Sequence, residues 1–222
     1  MEAAYKTVAG PGRDEFVEQR SRFIGYVCPV TTEAQALAFI EEKKKKHWDA
    51  THNVYAYILR EGGVQRFSDD GEPHGTAGVP TLDVLQKSGV TDVCVVVTRY
   101  FGGILLGAGG LVRAYSRGAS IALAAGGIVT MEPCLQMEIV CDYSRYSRIA
   151  SLIGEKGGVV DKTEYEAQVR LVFHLPPRCE PAFRQALADA TCGDITPSEI
   201  GCGFFAAGGN TAGGNIAGGN PF

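Results

Sequence analysis

Hydrophobic and polar positions change period several times along this chain, and each change predicts an element. Val54, Ala56 and Ile58 alternate with Asn53, Tyr55 and Tyr57, the two-residue period of a strand over 52–59. Gly62-Gly63 supplies a hairpin turn into a second strand over 64–67. Residues 93–97 are apolar without alternation, which fits a strand buried on both faces. Thr32 followed by Gln35 has the spacing of a capping box, so a helix opens there. That helix is expected to carry Leu37 and Ile40 inward and to end in the basic run Lys43, Lys44, Lys45, Lys46. Leu111, Ala114, Tyr115 and Gly118 fall at i, i+3, i+4 and i+7, predicting a second long helix that Gly126-Gly127 ends. A shorter helix over 80–87, closed by Gly89, and extended segments at 5–8 and 23–30 complete this region.

Beyond Pro133 the pattern becomes β-α-β-β-α-β. A strand over 135–141 precedes a helix with Tyr146, Ile149, Ala150 and Ile153 at helical spacing, stopped by Gly157-Gly158. Extended segments at 159–163 and 168–175 follow, then a helix carrying Phe183, Ala186, Leu187 and Ala190, and a last strand over 195–200. That order is the ferredoxin-like split βαβ. The fold class is therefore α+β with two domains, 1–132 and 133–204, divided near Pro133. Residues 205–222 contain three units, AAGGN, TAGGN and IAGGN, and their Gly and Asn content predicts a flexible appendage.

Composition narrows the function classes. The 222 residues are 45% hydrophobic and 21% charged, the balance of a soluble globular protein. A net charge of −4 argues against coating nucleic acid through bulk charge, so any such contact needs a local basic patch. The N-terminus lacks the basic and apolar segments of a signal peptide, and the longest apolar stretch, 121–129, is too short to span a bilayer. Seven scattered cysteines without a CxxC pair signal neither a disulfide framework nor zinc. Together these features predict a cytoplasmic protein without cofactor or structural metal.

Two loops carry candidate chemistry. The segment 68–78, SDDGEPHGTAG, gathers Asp69, Asp70, Glu72, His74 and Thr76. Several oxygens suit a divalent cation, but contiguous acidic residues point in different directions. The simpler reading makes the aspartates turn-formers and Thr76 a helix cap. The segment 98–115 places Gly102, Gly103, Gly107, Gly109 and Gly110 ahead of a helix N-terminus, whose free N–H groups and dipole suit an anion. Arg113 and Arg117 share a helical face, and Arg99 closes the buried strand. No GK[ST] follows the glycines, which excludes a Walker loop. The alternative is that the glycines serve tight packing and the arginines are structural. The lysine run reads as a solvated helix end, Trp48 as a core aromatic, and His47, His52 and His174 as structural.

At these two loops the sequence resembles the YigZ/IMPACT family. The resemblance rests on SRFIGYVCPV (21–30), DATHNVYAYIL (49–59), SDDGEPHGTAGVPTLDVL (68–85) and VVVTRYFGGILLGAGGLVRAYS (95–116). It implies an N-terminal domain of the ribosomal small-subunit protein fold, domain 2-like and shared with domain IV of elongation factor G. It also implies a ferredoxin-like second domain similar to domain V of that factor, in a bacterial-type arrangement. Eukaryotic relatives look like regulators of translation, so the expected role is a translation-linked one. The expected partner is RNA, the ribosome or a translation factor, bound at a basic, Gly-rich cleft formed by Arg99, Arg113, Arg117 and the glycines, with the lysine run as a flank. The alternative is an enzyme acting on a phosphorylated or anionic small molecule, with Asp69, Asp70 or Glu72 as base or metal ligand. The two loops are expected to face each other across one cleft; a closed concave pocket between them favours the enzyme, and basic groups spread over an open face favour the binding module.

Overall fold

The structure is a computed structural model and describes residues 3–207. The chain divides into two compact units, one of Tyr5–Thr130 and one formed mainly by the described residues from 131 on.

The first unit is built on an antiparallel sheet. Its strands are β2 (Gly12–Glu18), β3 (Ser21–Pro29), β4 (His52–Ile58), β5 (Gln65–Ser68) and β6 (Val93–Tyr100), in the order β2-β3-β6-β4-β5. Strand β1 (Tyr5–Val8) is not a member of this sheet but pairs with β7 (Ile128–Cys141), and Thr7 Oγ1 donates to the Asp92 carbonyl at 3.1 Å. The central strand β6 is buried on both faces, as its uninterrupted apolar run requires. Val93, Val95 and Val97 face a core shared with α2 (Gly78–Ser88) and α3 (Gly107–Gly126), through Leu82, Leu85, Leu111, Ala114 and Tyr115. Cys94 and Val96 face the opposite core, shared with α1 (Glu33–Lys46) through Ala36, Phe39 and Ile40. Helix α1 opens with the expected capping box, Gln35 N–H donating to Thr32 Oγ1 at 3.3 Å. Leu37 is corrected to an exposed position, and Phe39 takes the inward place beside Ile40 because the buried stripe follows Ala36, Phe39 and Ile40.

The second unit contains most of β7 (Ile128–Cys141), followed by α4 (Tyr143–Glu155), β8 (Val159–Tyr165), β9 (Val169–Leu175), α5 (Glu180–Thr191) and β10 (Ser198–Ala206). Strand β7 pairs antiparallel with both β10 and β9, and β9 with β8, giving the order β10-β7-β9-β8. Together with the β-α-β-β-α-β sequence, this is the ferredoxin-like topology. Met137, Ile139, Ile149, Ile153, Leu171, Phe173, Phe183 and Leu187 form its core.

Three further differences from the sequence-based expectations, all in strands, have physical causes. Strand β2 is not legible in the sequence, because most of its side chains lie exposed at a sheet edge and carry no apolar alternation. Strand β7 begins at Ile128 rather than 135 and runs through Pro133; the division between the two units falls inside it. The last strand occupies Ser198–Ala206 instead of 195–200, because its ladder to β7 continues from Glu138 down to Met131. The appendage expected from 205 thus has its first two residues in β10, and from 208 on it lies outside the described residues. Among the described residues no helix is long and apolar enough to cross a membrane.

Candidate functional site

The C-terminal end of β6, the N-terminal end of β4 and the starts of α2 and α3 meet at one end of the first unit's sheet. His52 is opposite Arg99 in the β4–β6 ladder, and Thr51 N–H donates to the Arg99 carbonyl at 2.9 Å. A cavity of about 400 Å³ opens there. Its walls come from both candidate loops: Gly71, Glu72 and Pro73 from one, Arg99, Phe101 and the start of α3 from the other. The two Gly-rich segments therefore converge on a single concavity.

Each acidic residue of the first loop is engaged inside the protein. Asp69 is the cap of α2: its Oδ1 accepts from the N–H groups of Ala77 (3.1 Å) and Gly78 (2.7 Å), and its Oδ2 from Gly75 (3.0 Å). Burial alone pushes the Asp69 carboxyl up, but these three donors outweigh it and hold the group below its ordinary value. This replaces the expected cap at Thr76, whose Oγ1 instead donates to the Pro73 carbonyl at 2.6 Å. Asp70 accepts from Asn53 N–H at 2.7 Å and pairs with Lys44 at 3.1 Å, so the loop is tied to both β4 and α1. His74 is fully at the surface. Among the described residues no three His, Cys, Asp or Glu side chains are grouped to hold a metal ion.

Glu72 is the buried hub. Its Oε1 accepts from Arg99 Nη1 and from Tyr115 Oη, both at 2.6 Å, and its Oε2 lies 3.7 Å from His52 Nε2. Burial and the bond to Glu72 hold the Tyr115 phenol protonated far above its ordinary range. The Arg99 guanidinium lies 5.5 Å from the ring centres of both Phe23 and Phe101, and its Nε has no partner among the described residues. His52 Nδ1 is 2.8 Å from the Asp70 carbonyl oxygen, which fixes Nδ1 as the protonated nitrogen and leaves Nε2 facing Glu72. Sequence reasoning gives His52 and Tyr115 no part in the site; the folded chain brings both to Glu72.

The glycine loop has separate tasks along its length. At Gly102 a Cβ would come within 2.0 Å of the Arg20 carbonyl, so only glycine fits. Gly107 has φ +68 and starts α3, whose first turn holds Gly109 and Gly110 and has no side-chain cap. Gly103 lies in the bend before it. The rim is apolar: Phe101, Ile104 and Leu105 are 45%, 40% and 83% exposed. The cationic character expected of the cleft is located differently. Arg99 is matched by Glu72, while Arg113 and Arg117 stand exposed on α3 outside the cavity lining. Arg117 stacks on Phe16 at 4.3 Å and reaches Glu18 at 3.9 Å. Of the lysine run, Lys43 pairs with Glu42 and Lys44 with Asp70; Lys45 and Lys46 are exposed.

Fold and site together define a two-domain α+β protein with a ligand-sized, Gly-lined cleft in its first domain. Residues 19–123 match the Impact N-terminal domain, and residues 139–193 match a "Domain of unknown function (DUF1949)". The chain is 40% identical to IMPACT family member YvyE of Bacillus subtilis (strain 168) over 200 residues, 89% of this chain and 92% of that protein. It is 37% identical to IMPACT family member YigZ of Escherichia coli (strain K12) over 180 residues, 80% of this chain and 88% of that one. It is also similar to a solved structure titled "Crystal structure of an hypothetical protein", with a TM-score of 0.57 and 34% identity, covering 90% of this chain and 98% of that chain. The chain belongs to the IMPACT family. Its similarity to Protein IMPACT-A of Xenopus tropicalis, 37% over 100 residues, covers 42% of this chain and 31% of the frog protein.

Proposed function

We propose that the first domain is an RNA-contacting module acting in translation, with the cleft and its rim as the contact surface. The observation that carries this reading is the disposition of the side chains around the cleft. Asp69, Asp70 and Glu72, the residues a catalytic or metal-binding reading requires, are engaged in capping, loop anchoring and charge neutralisation. The side chains left for a partner are apolar or aromatic at the rim and cationic on α3 and at the end of α1. Exposed apolar groups beside cations suit nucleobases and phosphates together. The partner is RNA, free or within the ribosome.

A second reading is supported by His52 and Arg99. A histidine of fixed tautomer beside a buried carboxylate, and a buried guanidinium nitrogen lacking a partner, suit a small anionic substrate or ligand at the uncapped start of α3. The two readings separate by sedimentation with purified ribosomes and by anisotropy with a labelled ribosomal RNA fragment. The full chain is expected to bind both, and Leu105→Asp, at an exposed position, is expected to weaken binding without changing the circular dichroism spectrum. Absence of binding to ribosomes and to the RNA fragment overturns the RNA reading. Saturable binding of phosphorylated metabolites under the same conditions then favours the enzyme.

A further inference from the structure

Trp48 is the only tryptophan of the chain and is 84% exposed, although a lone aromatic in a globular domain is ordinarily core. Its exposure is not the result of a loose segment. His47 N–H closes α1 onto the Lys43 carbonyl at 2.9 Å, and the His47 ring is buried between Tyr26 Oη at 2.7 Å and Tyr100 Oη at 2.8 Å. Ala50 N–H donates to the His47 carbonyl, and Asp49 accepts from Tyr100 Oη at 3.1 Å. Both residues flanking Trp48 are thus fixed to β3 and β6 through Tyr26 and Tyr100, and the indole projects from a braced turn three residues before Thr51, which lines the cleft.

The last turn of α1, which runs into Trp48, is cationic. Lys45 and Lys46 lie exposed in the last turn of α1 and have no carboxylate partner among the described residues, although Lys46 Nζ lies 5.4 Å from the centre of the Tyr26 ring; Lys43 and Lys44 are paired. Asp49 is the adjacent acid, and it is held by Tyr100. A solvent-facing indole on a braced turn, beside lysines without carboxylate partners, is the arrangement that stacks an unpaired base while the cations meet its phosphates.

We propose that Trp48 is a base-stacking platform for single-stranded RNA, with Lys45 and Lys46 contacting the flanking phosphates. This rests on the RNA-contacting reading and adds to it the form of RNA and the residue that recognises it. Because Trp48 is the sole tryptophan, its fluorescence reports stacking directly. Titration of the full chain with a 12-nucleotide oligouridylate is expected to quench that fluorescence saturably, with the same midpoint as anisotropy of the labelled oligonucleotide. Trp48→Ala is expected to weaken binding roughly tenfold, Trp48→Phe to retain most of it, and a duplex of the same length to quench far less. Lys45→Glu/Lys46→Glu is expected to weaken binding and flatten its salt dependence.

If anisotropy reports RNA binding while the fluorescence is unchanged and Trp48→Ala binds as the parent does, the platform is refuted and the RNA reading stands. Loss of binding in both channels overturns both. If the fluorescence instead responds to RNA-free ribosomal proteins and not to the oligonucleotide, the occupant is a protein and the proposal fails. Circular dichroism of each variant separates these outcomes from misfolding.

Discussion

Glu72 is positioned where a guanidinium and a phenol both need one carboxylate oxygen, and the need is strict because all three groups are buried. Removing one partner of a buried pair leaves the other charge uncompensated, so Glu72→Ala is expected to cost roughly 3–5 kcal/mol. The double change Glu72→Leu/Arg99→Met is expected to cost clearly less than Glu72→Ala, since no unpaired charge remains; urea midpoints of the three proteins check this ordering. Asp69 gives a pH signature. Its folded pKa lies below the ordinary value of 3.8, so the unfolded state binds more protons as pH falls through that window. Its contribution is therefore complete above the unfolded value and disappears as pH falls through the folded one. The stability gap between the parent and Asp69→Ala is expected to hold at neutral pH and to narrow as pH falls below about 4; a gap that stays constant on acidification would refute the capping role. In the sequence the aspartates are legible as turn-formers, but which one caps α2 is not, because the choice depends on how Gly75 and Gly78 bring N–H groups back to Asp69. His52 is illegible as a site residue for a similar reason: its partners, Asp70 and Glu72, are 18 and 20 positions away and carry no shared periodicity with it.

Helix α3 lies against the sheet more closely than side chains permit. A Cβ at Gly25 of β3 would come 2.3 Å from the Gly118 carbonyl oxygen, and one at Gly118 would come 2.7 Å from Val97 Cγ1. Gly25→Ala is therefore expected to lower stability by about 1–3 kcal/mol through forced separation of β3 and α3, seen as a fall in the thermal midpoint. Thr32→Ala, which removes one half of the α1 capping box, is expected to cost about 1 kcal/mol on the same assay. These elements are largely legible in the sequence because their signals are local: a capping spacing at Thr32 and Gln35, a helical stripe from Leu111 to Gly118, and the apolar run of β6. Strand β2 is not, since GRDEFVE owes its extended form to pairing with β3 rather than to an apolar face of its own. Trp48 reads as core in the sequence for the same reason that most lone aromatics do. Only the bracing of its neighbours by Tyr26 and Tyr100 shows why it faces solvent.

At the scale of the whole molecule, a net charge of −4 means that phosphate is repelled on average, so nucleic-acid affinity has to come from local cations. The structure makes the two arginines of α3 unequal in this respect. Arg117 already stacks on Phe16 and reaches Glu18, whereas Arg113 is exposed and has no carboxylate partner among the described residues. A phosphate reaching Arg117 competes with Glu18; one reaching Arg113 does not. Removing one cation that neutralises a phosphate lowers the slope of log affinity against log salt by about 0.7 for a single strand. Arg113→Ala is therefore expected to weaken RNA binding and flatten the salt dependence by about that amount, and Arg117→Ala to do less. Arg117→Ala is also expected to reduce stability slightly, because its guanidinium no longer covers Phe16, whereas Arg113→Ala is expected to leave the unfolding curve unchanged. Anisotropy at four or more salt concentrations measures the slopes, and circular dichroism melts supply the folding control. Equal slopes for the parent and Arg113→Ala would remove Arg113 from the contact surface; a larger drop in slope for Arg117→Ala would show that Glu18 yields its arginine to the RNA.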